Sequence, residues 1–280
     1  MTINIAFSPC PNDTFVFHAW VHGLLPDAPK VNVTYADIDI TNHLATKPNE
    51  LDVLKISYAA LPWVLKEYAL LPCGGALGRG CGPLVLTRKT DSSFGASALS
   101  KKRVAVPSER STAYLLFRLW AEENVPGGVG EIIVMPFHEI MPAVRDGIID
   151  AGLVIHEARF TYQQYELDMI CDLGNWWETD TGFPIPLGAI IARRSLDLQA
   201  LTTTIQQSVE YAWANPDISK PYILDHAQEM SEEVAKNHIQ LYVNSFTANL
   251  GEEGYEAIYS LLGRAQEKGF VPSFDMKLLK

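Results

Sequence analysis

Several common signatures of function are missing from this sequence. The four cysteines, Cys10, Cys73, Cys81 and Cys171, lie far apart or eight residues apart. That spacing fits neither a CxxC redox pair nor a zinc finger, so reduced, mostly buried thiols are expected. The seven histidines contain no HxH pair, and no metal site is expected. Cations are scarce, with 22 Lys and Arg against 33 Asp and Glu and a net charge of −11. Nucleic acid and anionic membrane surfaces, which call for clustered Lys and Arg, are poor partners for such a chain. No run approaches the roughly 20 apolar residues of a membrane span. The start MTINIAF has no basic stretch leading into an apolar signal core, which points to a cytoplasmic protein. GxSxG, a Walker loop and a GxGxxG after a strand are absent. What is left is a small-molecule ligand captured locally, with the oligomeric state open between monomer and homodimer.

What is present is an alternation. The chain has 280 residues, 48% of them apolar, enough for one large domain or two smaller ones. Periodicity predicts strands at 3–8, 31–37, 52–57, 84–88, 103–107, 131–135, 151–156 and 187–193, with helical stretches between many of them. Such alternation signals α/β layering around a mainly parallel sheet. The pattern also repeats once. IAFSPCPNDTFVFHAW is echoed by VAVPSERSTAYLLFRLW, aligning Thr14 with Thr112, and ELDVLKISYAAL by IIDAGLVIHEARF, aligning Asp52 with Asp150. Both pairs are 98 positions apart, which argues for two similar α/β lobes.

On this division, 1–87 with 193–280 form lobe 1 and 88–192 form lobe 2. The strand at 84–88 carries the chain out and the one at 187–193 carries it back, making a hinge with a cleft between the lobes. Beyond 195 only helices are predicted: one ending at Pro216, one capped by Ser231 and one ending at Gly269, all packed on lobe 1. Consecutive domains 1–90 and 91–280 fit less well, because the tail offers no strand to extend a sheet.

Ligands of open parallel sheets bind beyond the carboxyl ends of the strands. The repeat supplies four such ends: the SPCPNDT loop, Lys55-Ile56-Ser57, the SERST loop and Ile155-His156-Glu157. A helix start aims N–H groups and partial positive charge forward, so Asn12, Asp13 and Thr14 mark an anion seat. Ser57 and Ser111 are expected to cap helices, a role compatible with ligand contact, and Thr112 is similar. Pro62 predicts a late or kinked helix after Ser57. Lys55 interrupts an apolar strand end, where an ammonium needs a ligand anion or a protein carboxylate. His156 follows the apolar run AGLVI at a strand's carboxyl edge; it is either a proton acceptor or a satisfied structural histidine. The other six histidines lie in helical or polar stretches and are read as structural. CGGALGRGCG precedes a strand rather than a helix and reads as a flexible approach to the hinge.

SPCPNDTF, DVLKISYAALP, the Ser111-Thr112 loop and IHEARFTYQQYEL together resemble the 1,4-dihydroxy-6-naphthoate synthase family, menaquinone-pathway enzymes of the futalosine route. The resemblance covers most of the chain. It implies a two-lobed fold of the periplasmic-binding-protein kind (type II) and a cofactor-independent lyase that converts cyclic dehypoxanthine futalosine to the dihydroxynaphthoate with release of a three-carbon fragment. It further implies that His156 is the proton acceptor and that Lys55, Ile56, Ser57, Ser111 and Thr112 line the substrate site; Asn12 and Thr14 of the first loop are substrate-binding candidates beside them on the helix-start argument alone. The family pattern often has Gly where Ala158 stands. The rivals are a chorismate dehydratase-like enzyme of the same pathway and a non-catalytic solute-binding protein.

Overall fold

The computed structural model describes residues 2–280 apart from Asn49, Thr90, Asp91, Glu157 and 228–230, and only the backbone at 92–94. Two compact units emerge: one holds the chain up to Gly78 together with Pro186–Lys280, the other Arg79–Ile185. The first unit opens with β1 (Thr2–Phe7), α1 (Pro11–Val21), β2 (Lys30–Tyr35), α2 (Ile38–Ala45), β3 (Val53–Ser57), β4 (Tyr68–Leu70) and β5 (Ala76–Gly78). The second contains β6 (Leu84–Arg88), β7 (Val104–Val106), α3 (Thr112–Asn124), β8 (Ile132–Val134), α4 (Phe137–Arg145), β9 (Ala151–Val154), α5 (Ala158–Thr161), β10 (Leu167–Asp172) and α6 (Leu173–Thr181). The chain returns to the first unit through β11 (Ile185–Arg193). It ends in α7 (Leu198–Ala214), α8 (Pro216–His226), α9 (Glu232–Tyr242), α10 (Ser245–Ala248) and α11 (Gly251–Glu267).

The two sheets have one plan. The first runs β2-β1-β3-β11-β4, with β5 on β11; the second runs β8-β7-β9-β6-β10. In each, the first three strands are parallel and the fourth is antiparallel to the third. The Asp52/Asp150 echo has a shared physical cause. Asp52 Oδ2 accepts the Asn4 N–H at 2.8 Å, and Asp150 Oδ2 accepts the Arg103 N–H at 2.9 Å, each tying the root of the third strand to the central one. The Thr14/Thr112 alignment does not hold at the level of structure. Thr14 lies in the first turn's fourth position of α1, whereas Thr112 opens α3, because the loop 107–111 is longer than the loop 8–10.

Strand pairing also decides where the units divide. β6 pairs with β9 and β10, so the outgoing strand belongs to the second unit; β11 pairs with β3 and β4, so the returning one lies in the first. The divisions therefore fall after Gly78 and Ile185 rather than at 87 and 193. α1 is buried from Pro11 to Trp20, because α7, α8 and α9 pack over it. A helix apolar all round is one buried all round. Its Phe17 stacks on Phe7 of β1 with ring centroids 4.4 Å apart, within a core that also takes in Ile5, Trp20, Ile190, Ile205 and Val209. The second unit has its own core, built on Leu84, Leu86, Ile140, Val144 and Val154.

Pro216 does not simply stop α7; it occupies the first turn of α8, where its missing N–H costs nothing. The glycine-rich stretch is not a mere flexible approach. Ala76–Gly78 forms β5, and Gly82 lies so close to Gly174 that a Cβ there would sit 2.1 Å from the Gly174 nitrogen. Among the described residues no helix is long and apolar enough to cross a membrane.

Candidate active site

In the first unit, β1 and β3 are adjacent and parallel, so the loop 8–10 and Ser57 leave the sheet at one edge. The N-cap of α1 is Cys10, not Asn12 or Asp13, and Pro11 fills the first helical position. Asp13 then falls in the first turn, 2% exposed, with its carboxylate under the helix start. Lys55 Nζ approaches Asp13 Oδ1 at 2.7 Å, the Ser8 hydroxyl donates to Oδ2 at 2.8 Å, and the Asn12 amide donates to Oδ1 at 2.8 Å. The Gly74 carbonyl takes a second Lys55 proton at 3.2 Å. Of the two partners open to Lys55, the structure thus supplies a protein carboxylate. The anion at this helix start is the protein's own, where the macrodipole and the ammonium both favour it.

Around this pair the candidates are well buried. Thr14 is 0% exposed and turns its hydroxyl back onto the Cys10 and Pro11 carbonyls. Ile56 is also 0% exposed, on the β3 face opposite Lys55 and Ser57. Ser57 occupies the N-cap position of a 3-10 stretch, Tyr58–Trp63, but makes no side-chain cap; Pro62 sits inside that stretch. Instead both ends of the Asn42 amide engage it, Nδ2 donating to Ser57 Oγ at 2.9 Å and Oδ1 accepting the Ser57 N–H at 2.7 Å. Asn12 is engaged in turn by His238 Nε2, 2.9 Å from its Oδ1. Sequence reasoning passed over Asn42 and set His238 aside as structural. Their partners are 15 and 226 residues away, and no local pattern marks either.

In the second unit, β7 and β9 are likewise adjacent and parallel, which brings the Ser111 loop and His156 out at one edge. Ser111 caps α3 as expected: its Oγ accepts the Tyr114 N–H at 3.1 Å and donates to the Ser108 carbonyl at 2.9 Å. Thr112 is 2% exposed at the first helical position. No acid lies in the first turn of α3, in contrast to α1. β9 ends at Val154, two residues short of the predicted strand, and the chain turns at His156 with φ +53°. Left-handed backbone is uncommon outside glycine, and where it occurs it concentrates at functional positions. The imidazole is partly exposed and meets the Phe137 ring edge-on, 5.5 Å between centroids at 89°. Glu157, the last of the fourth strand end, lies outside the described residues.

His18 of α1 and His22, the C-cap of that helix, pack with Tyr222 of α8. Burial first, and His22 second, push His18 down to about 4. Cys73, Cys81 and Cys171 are in no disulfide, and burial pushes each thiol up to about 12. Among the described residues, no group of three His, Cys, Asp or Glu could hold a metal ion.

Comparison with known proteins gives these arrangements a context. A family model described as menaquinone biosynthesis matches residues 3–267. A protein of Streptomyces coelicolor named 1,4-dihydroxy-6-naphtoate synthase is 65% identical over 275 residues, covering 97% of this chain and 95% of its own. A Thermus thermophilus protein of the same name is 43% identical over 270 residues, covering 95% of each. The periplasmic aliphatic sulphonate binding protein of Escherichia coli superposes with a TM-score of 0.69 at 11% identity, over 99% of this chain and 91% of that one. At that identity the likeness is one of fold: the two-lobed, type II periplasmic-binding-protein architecture.

Proposed function

The chain belongs to the menaquinone-biosynthesis family, and from that premise we propose that it is a carbon–carbon lyase acting on cyclic dehypoxanthine futalosine. The product is 1,4-dihydroxy-6-naphthoate and the leaving piece a three-carbon fragment, with His156 as general base. The observation that carries this reading is the placement of His156 just beyond β9, partly exposed on a left-handed backbone beside Phe137. An imidazole ionises near pH 6.5 when unperturbed, which suits proton removal at neutral pH. His156 takes a proton from the substrate; the electron pair left behind breaks the bond to the sugar-derived piece, and formation of the aromatic ring drives the step.

The helix starts divide the remaining work. α3 has a capped start and no acid in its first turn, so Ser111, Thr112 and the N–H groups there receive the substrate carboxylate. At α1 the Asp13 carboxylate already occupies the equivalent place. Ser57 and Asn12 therefore offer hydrogen bonds to the neutral parts of the substrate, with Lys55, Ile56 and Thr14 behind them as the support that fixes the wall. The purified protein is expected to convert cyclic dehypoxanthine futalosine to a naphthoate chromophore without added metal or cofactor. Binding of that compound with no chromophore would favour a solute-binding protein, and turnover of chorismate instead would favour a dehydratase.

A further inference from the structure

We infer that Arg159 is a positioning residue that holds His156 in the orientation needed for proton removal, an inference that rests on His156 being the base. α5 is a single turn, Ala158–Thr161, beginning two residues after His156. A helix that short has no stability of its own, so its direction is set by whatever anchors it. Arg159 is that anchor. Its backbone N–H reaches the His156 carbonyl at 3.4 Å. Its guanidinium donates through Nη1 to the Gly82 carbonyl at 2.7 Å and through Nη2 to Asp172 Oδ2 at 2.5 Å. The other Asp172 oxygen accepts the Gly174 and Asn175 N–H groups at 2.9 and 3.1 Å, capping α6.

One side chain therefore ties the turn bearing His156 to the segment ahead of β6, to the end of β10 and to the start of α6. The pair is largely shielded, with Arg159 and Asp172 side chains 18% and 15% exposed, and the close approach of Gly82 to Gly174 leaves the backbone there little room to shift. A planar fork with donors fixed in two directions can serve a carbonyl and a carboxylate at once; the single ammonium of lysine cannot reproduce that geometry. Phe137 flanks the imidazole from α4, so the ring is held by an aromatic edge while its backbone is held by Arg159. A left-handed residue persists only where its surroundings impose it, and this clamp constrains the turn that carries His156.

The test assays Arg159→Ala, Arg159→Lys and His156→Asn together with cyclic dehypoxanthine futalosine across pH. Arg159→Ala is expected to lose about 10- to 100-fold in kcat, the scale of a misplaced reacting group, with KM nearly unchanged. Free guanidinium restores part of the rate to Arg159→Ala, while Arg159→Lys recovers little. Where Arg159→Ala does not yield folded protein, Asp172→Asn, which keeps an oxygen for the α6 cap, is expected to show the same split between kcat and KM. Wild-type kcat in folded Arg159→Ala, or in Asp172→Asn, would overturn the inference. If His156→Asn is inactive in that experiment, only the positioning role has failed; if His156→Asn is itself fully active, the base assignment has failed.

Discussion

At the start of α1 a carboxylate is buried beneath the helix, with Ser8, Asn12 and Lys55 gathered around it; at the start of α3 the corresponding place holds Ser111 and Thr112 and no acid. Both helices follow the middle one of the three parallel strands in a sheet with the same order of pairing. The shared plan thus produced two helix starts with the same partial positive charge, and the two were completed differently. In one the charge is answered from within the protein. In the other no acid lies in the first turn, and the substrate carboxylate is the proposed occupant.

The largest expected effect tests the internal answer. Asp13→Asn removes the partner of an ammonium that is 3% exposed, and an uncompensated buried charge destabilises by about 3–5 kcal/mol. Chemical denaturation is the measurement, and the double variant Asp13→Asn with Lys55→Met should recover most of the loss. A single-variant cost no greater than that of an ordinary cap would break the comparison.

Acid should sharpen the same contrast. α1 buries His18, whose pKa is lowered to about 4, while the buried residues of α3 are apolar apart from Thr112. Above pH 6.5 the imidazole is neutral whether the chain is folded or not, and it contributes no slope. Between pH 6.5 and about 4 the unfolded chain takes up the proton and the folded one resists it, so stability falls as pH falls, by up to about 3 kcal/mol in all. Hydrogen exchange should therefore quicken at α1 before α3 on acidification, and His18→Gln should flatten the slope. Simultaneous loss of protection in both helices would count against it. The smallest effect belongs to the second helix start: Ser111→Ala forfeits one cap, about 1 kcal/mol of stability, and should raise KM for the carboxylate substrate more than it lowers kcat.

How much of this was legible in the sequence follows from the range over which each feature is encoded. Strands such as 84–88 and 187–193 are largely apolar or β-branched and declare themselves, and the repeat was visible because Asp52 and Asp150 do the same job at the same offset. β4 and β5, three residues each, are too short to show a period, and α8 was hidden by Pro216 and Pro221. At the site, Lys55 stood out because an ammonium inside an apolar strand needs a partner, but its partner Asp13, 42 residues away, could not be named from spacing. Ser111 and His156 were legible as residues at strand ends. The Asn42 grip on Ser57, the His238 contact to Asn12 and the Arg159 clamp come from packing between distant segments and leave no local mark.

The most direct test of the account is turnover of cyclic dehypoxanthine futalosine by His156→Asn, measured beside its binding of the same compound. Binding is expected to be largely retained while turnover falls by about 10² or more, the scale of losing a general base. Turnover equal to that of the unaltered protein would contradict it.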